Sequence, residues 1–334
     1  MTMISLGDLA RNLMLQRQTS ATHSRLSRLT QEIATGRHAD QAAASRGNLG
    51  PLLGIEAALA RIGGWQTATR TLETRLDTMQ AALGALDGIG GAVATTLLSA
   101  GSATQDDQVD LAAQEARSHL DAAIGILNAR SGDYSVFAGA RSDHPAVISP
   151  DALLDLVLPL AASQTTAAGV QAAIAAWFDD PAGFDSQAYT GGAALAEIWV
   201  GPEQKAGLPV TATDPALKSL LAGLVTAAVM DRGILSDDPV QRRELAGRAG
   251  ETLSSNAAPR TALAARIGTV QARLTQAQAR NAAEDSVLGI ARSGLVSVDP
   301  YATASDIEAT RTQLETLYTL TARLSGLSLI EMFR

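Results

Sequence analysis

Apolar residues recur at alternating spacings of three and four along several stretches of the chain, the period of a helix seam and not of a strand. Near the start the series is Leu15, Thr19, Thr22, Leu26, Leu29 and Ile33, preceded by Leu6, Leu9 and Leu13, with Gly36 as its stop. A second series, Leu72, Leu76, Met79, Leu83, Leu86, Gly90, Val93 and Leu97, belongs to a helix that opens at Pro51 and has Gly63 and Gly64 as its candidate bend. A third helix follows Asp106 and Asp107 and carries Leu111, Leu120, Ile124 and Leu127. Beyond Pro259 the spacing returns in Leu263, Ile267, Val270, Leu274, Ala277 and Asn281, and again in Ile307, Thr310, Leu314, Leu317, Thr321, Leu324 and Ser328. A seam buries nothing by itself, so the two at the chain ends are predicted to fill each other.

The middle has another texture. Seven of the 11 aromatic residues fall between Tyr134 and Trp199, among turn signals at Asp180-Pro181, Gly191-Gly192 and Gly201-Pro202. Segments 196–200 and 208–212 read as short paired strands, followed by an apolar helix from Pro215 to Met230. The uncharged run from Leu156 to Phe178 is broken by Pro159 and several hydroxyl and amide side chains, and reads as one or two packed helices and not a membrane span. Asp238-Pro239-Val240-Gln241 reads as a helix start, with Asp as cap, Pro in the first turn and Gln reaching back. The expected fold is mainly α: long N- and C-terminal helices paired in a coiled-coil bundle, with a small α+β domain inserted in the middle. The expected divisions are 1–47 with 300–334, 48–140 with 241–299, and 141–240.

Composition sharpens this picture at two points. The chain has 334 residues, no cysteine and only 3% aromatic residues, so thiol chemistry is excluded and burial falls to Ala, Leu, Ile and Val. The formal charge of -8 is segregated: 131–241 holds two Arg and two Lys against 13 carboxylates, while the remainder holds 22 Arg against 21 carboxylates. An acidic middle between near-neutral ends is a poor surface for phosphate backbones, so nucleic acid is not an expected partner. The start, with Asp8 and Arg11 interrupting its apolar residues, lacks the pattern of a cleaved secretory signal.

Candidate chemistry is sparse. His23, His38, His119 and His144 stand apart, with no second ligand at metal-binding spacing. Gly88-Ile89-Gly90-Gly91 lies inside a helical series without the preceding strand that a nucleotide cradle needs. Asp179-Asp180 and Asp237-Asp238 precede prolines, where they serve turns and caps. No catalytic, cofactor-binding or metal-binding residue is therefore named, and no cofactor is expected.

Three segments carry a family resemblance: 26–37 (LSRLTQEIATGR), 127–130 with 134–139 (LNAR and YSVFAG), and 320–329 (LTARLSGLSL). With the matching order of elements they cover about 1–140 and 245–334, and the chain resembles flagellin-type axial proteins of the bacterial flagellum, nearest to the branch at the hook-filament junction. It departs from the family pattern after Gly36-Arg37, where an acidic pair and proline are replaced by Ala39-Asp40-Gln41-Ala42-Ala43. The resemblance implies a structural ring subunit, not an enzyme, located outside the cell in the flagellum after export without a cleaved signal. Its implied partners are hook-associated protein 1, flagellin, other copies of itself and an export chaperone, with no membrane partner. The residues expected to pack the terminal helices and drive assembly are Leu15, Leu26, Leu29, Ile33, Ile307, Leu314, Leu317, Leu324 and Leu327. Filament flagellin is the alternative within the family; a coiled-coil receptor or adaptor with a ligand-binding insert is the alternative outside it.

Overall fold

The computed structural model describes residues 6–332 except 106 and 208–209, with side chains described from residue 10 to 323. In chain order the elements are α1 (Leu6–Thr35), α2 (Gln41–Ala44), α3 (Gly50–Gly101), α4 (Asp107–Leu127), β1 (Arg130–Ser131), β2 (Tyr134–Ser135), α5 (Pro150–Ala162), α6 (Ala167–Asp179), α7 (Phe184–Gln187), β3 (Ile198–Gly201), β4 (Gln204–Ala206), α8 (Pro215–Asp231), α9 (Pro239–Ser255), α10 (Ala257–Val296) and α11 (Pro300–Met332). The chain divides into two compact units, 1–61 with 283–334 and 62–282, and α3 and α10 contribute residues to both.

In the unit built from the chain ends, α1 and α11 pack together and run antiparallel. His23 meets Tyr318 and Arg25 meets Asp306, while the strand-like bridge Arg37 to Ser297 closes the elbow beyond the helices. α1 stops at Gly36, whose φ of 67° lies in the left-handed region where a Cβ is strained. Asp40 caps α2 by accepting from the Ala43 N–H at 2.9 Å, so the segment that departs from the family pattern is a capped helical turn. Asp299 does the same for α11 through the Tyr301 N–H.

The other unit has a single apolar core that reaches from Leu72 on α3 to Ala277 on α10. α3 keeps its three-four spacing through alternate turns, and among the described helices it alone is long and apolar enough to cross a membrane; its stripe from Leu72 to Ala100 is instead buried in this core. α10 lies antiparallel to it, with Gln278 on Glu73, Gln271 on Asp77 and the almost fully buried Arg260 on Asp87 at 2.9 Å. α8 is apolar on every side, with Leu220 to Met230 continuously buried, and it therefore sits at the centre against α4, α5, α6 and α9. Segment 141–240 thus shares its core with the flanking helices.

Some local expectations differ from the structure. β3 pairs with β4 at 204–206 through a turn at Pro202-Glu203, and not with 208–212, of which 208–209 lie outside the described residues. The turn is two residues long because Glu203 adopts a positive φ of 55°. Leu111 is exposed, since the buried line of α4 passes through Val109, Ala113, Ala116, Leu120 and Leu127. Gln241 does not reach back to its own cap. Asp238 alone accepts from the Val240 and Gln241 N–H groups, and Gln241 Oε1 instead accepts from the Ala167 N–H that opens α6.

Candidate assembly surface

The seam between α1 and α11 begins with Leu29, Ile307, Leu314 and Leu317, all buried. Leu15 and Leu26 are half-buried on α1. Leu324 and Leu327 lie on the helical backbone of α11 but their side chains are outside the described residues. Ile33 does not continue the stripe: it is 39% exposed, and Glu32 is buried in its place. The cause is the end of the helix. Once the chain turns back at Gly36, the Ala39 N–H needs an acceptor, and Glu32 Oε1 supplies it at 3.0 Å.

Much of the seam is polar. Thr22, Thr303 and Thr310 are buried in it, each satisfying its hydroxyl on a carbonyl one turn earlier on its own helix. Towards the start of α1 the seam opens into a groove of about 580 Å³ lined by Leu15, Thr19, His23, Tyr318 and Thr321. The same unit leaves Met14, Val287, Ile290 and Tyr301 open to solvent, Ile290 at 72% exposure.

The segments 127–130 and 134–139 form a knot in the other unit. Asn128 pairs its side-chain amide with the Val147 backbone, donating to the carbonyl and accepting from the N–H, both at 2.9 Å. Gly139 has φ 58°, and a Cβ there would collide with the carbonyl oxygens of Gly192 and Ala193. Around it the Ala140 N–H donates to Ala193 O, the Gly192 N–H to Ala138 O and the Ala212 N–H to Phe137 O. Tyr189 closes the loop on Gly192 O at 2.7 Å, and its burial pushes the phenol above its ordinary pKa. Asn281, 1% exposed in the α10 seam, holds the β3–β4 hairpin by donating to Val200 O. Sequence spacing placed Asn281 in a seam; its polar side chain was the available sign of a tether.

The chain therefore pairs its end helices in one unit and packs a helix-rich core in the other. Residues 255–333 match the family model described as the bacterial flagellin C-terminal helical region. Among solved structures, FlgL of Bacillus cereus is similar at TM-score 0.50 and 10% identity, over 71% of this chain and 97% of that one. A chain assigned as a flagellar hook-associated protein from Vibrio parahaemolyticus aligns at TM-score 0.49 and 14% identity, over 73% of this chain and 95% of its own. No curated protein sequence matches the chain. Residues 255–333 thus resemble the flagellin C-terminal helical region, and the fold of the chain is similar to that of FlgL.

Proposed function

We propose that the chain is a hook-filament junction subunit of the hook-associated protein 3 kind, forming a ring between hook-associated protein 1 and the flagellin filament. The observation that carries this reading is the antiparallel pairing of the chain-end helices, joined at His23 and Tyr318, in a chain whose residues 255–333 match the flagellin C-terminal region. Leu15, Leu26, Leu29, Ile307, Leu314 and Leu317 are its packing surface, which Leu324 and Leu327 would extend, and the exposed apolar side chains around them await neighbouring subunits. Asn128 and Gly139 favour a junction protein over filament flagellin, because they tie the 134–139 segment into a fixed knot where the resemblance to the junction branch is closest. The same reading gives an extracellular protein, exported without a cleaved signal, whose C-terminal helix is held by an export chaperone. Its work is mechanical and no catalytic step is assigned to it. Deleting its gene tests the role: hooks should form and filaments should be shed into the medium, with both restored by complementation. Filaments that stay attached would contradict the junction reading.

A further inference from the structure

One cavity of the 62–282 unit is lined by three charged side chains without ion partners. It has a volume of about 260 Å³, lies between the β3–β4 hairpin and α10, and is lined by Glu197, Lys205 and Arg273. All three are exposed, and among the described residues none makes an ion pair or a side-chain hydrogen bond, with one another or with any other group. Lys205 does meet Trp199, its ammonium 4.5 Å from the ring centroid. That contact brings no counter-charge, in a segment, 131–241, where 13 carboxylates outnumber four cations. Two of the other cations there, Lys218 and Arg232, are each paired with an aspartate.

The walls of the cavity are fixed. Asn281 holds the hairpin to α10 through Val200 O at 2.8 Å, and Val270 and Arg273 lie one turn apart on α10. Gly207 lets the two sides of the hairpin close up: a Cβ there would come within 3.2 Å of Glu197 Cα and Cγ. The remaining lining is apolar, with Ala206 buried and Leu195 and Val270 packed against the core. A simple anion entering this cavity meets Glu197, and a simple amine meets Lys205 and Arg273. A molecule that carries both charges and a short apolar group leaves no member of the lining opposed.

We propose that this cavity binds a free α-amino acid with an apolar side chain. Lys205 and Arg273 take the carboxylate, Glu197 takes the ammonium, and Leu195, Ala206 and Val270 receive the side chain. The volume is below the roughly 300–1,000 Å³ of sites for larger ligands, and so suits one residue and not a peptide. This is a ligand-binding function separate from assembly, and it neither needs nor contradicts the junction reading.

Calorimetric titration of the full-length chain with L-valine, L-leucine and L-phenylalanine at neutral pH tests it, at concentrations up to about 10 mM. At least one should bind. For leucine, isoamylamine lacks only the carboxylate and isocaproate lacks only the ammonium, and each should bind about tenfold more weakly or worse. Glu197→Gln and Arg273→Ala should each weaken amino-acid binding by about tenfold, and Arg273→Lys should keep it within about threefold. Unchanged thermal unfolding of these exposed-site variants separates a lost ligand contact from a lost fold. No binding of any of the three amino acids would overturn the proposal. So would truncated analogues that bind as well as leucine, or binding indifferent to Glu197→Gln and Arg273→Ala. None of these results bears on whether filaments stay attached to hooks, so the junction reading stands or falls separately.

Discussion

His23 Nε2 and Tyr318 Oη share a hydrogen bond of 2.6 Å across 295 residues of chain. The two rings also meet edge-on, with centroids 6.1 Å apart. The pair is exposed, so Tyr318→Phe should cost less than about 1 kcal/mol while keeping the ring contact, and Tyr318→Ala should cost more. Thermal unfolding of the full chain distinguishes the two.

Leu317 has a different weight because it is buried between α1 and α11. Leu317→Asp places a carboxylate in an apolar seam without a partner, a change on the order of 3 kcal/mol or more. Incorporation into flagella should be lost while the 62–282 unit keeps its near-ultraviolet circular dichroism. Normal motility in this variant would remove the seam from the assembly mechanism.

The knot at 127–147 and 134–193 should be sensitive to small changes. Gly139→Ala combines a positive φ with a collision against two carbonyls, and should destabilise the 62–282 unit by roughly 2–4 kcal/mol. Asn128→Ala leaves both polar groups of Val147 without their partners and should cost about 1–3 kcal/mol. Urea unfolding followed by tryptophan fluorescence reports both, because Trp65, Trp177 and Trp199 all lie in the 62–282 unit. A Gly139→Ala variant as stable as the original chain would mean that the 138–140 and 192–193 segments do not approach so closely.

These differences follow from what a sequence displays. The seams of α3, α10 and α11 were legible because Leu, Ile and Val repeat at three-four spacing over many turns, and no strand reproduces that period. Leu111 misled because in the first turns of α4 the buried line is carried by Val109, Ala112, Ala113 and Ala116, with leucines joining it only from Leu120 onward. Glu32 replaces Ile33 for a reason outside helical periodicity: a backbone N–H seven residues later needs an acceptor. The β4 register depends on a positive φ at Glu203, a residue whose type gives no warning of it. Asn128 could be quoted as part of a resemblance, but its partner Val147 became visible only once the chain was folded.

The seam joining the chain ends is thin compared with the other core. On α1 the buried described side chains are Thr22, Leu29 and Glu32, whereas α8 buries 13 residues. Regions with few buried apolar contacts open at little cost. In the soluble monomer the amides of 10–35 and 300–323 should exchange with deuterium much faster than those of α8, and should become protected on assembly. Strong protection of both arms in the monomer would show that they need no neighbour to fold.

The pairing of the two chain ends is best tested within the flagellum itself. The chain has no cysteine, so His23→Cys with Tyr318→Cys introduces the protein's only thiols. The variant, purified as part of intact flagella and treated with a short bis-maleimide, should yield an intrachain crosslink in most molecules. Absence of the chain from the flagella, or thiols that react singly or only between different copies, would contradict the account.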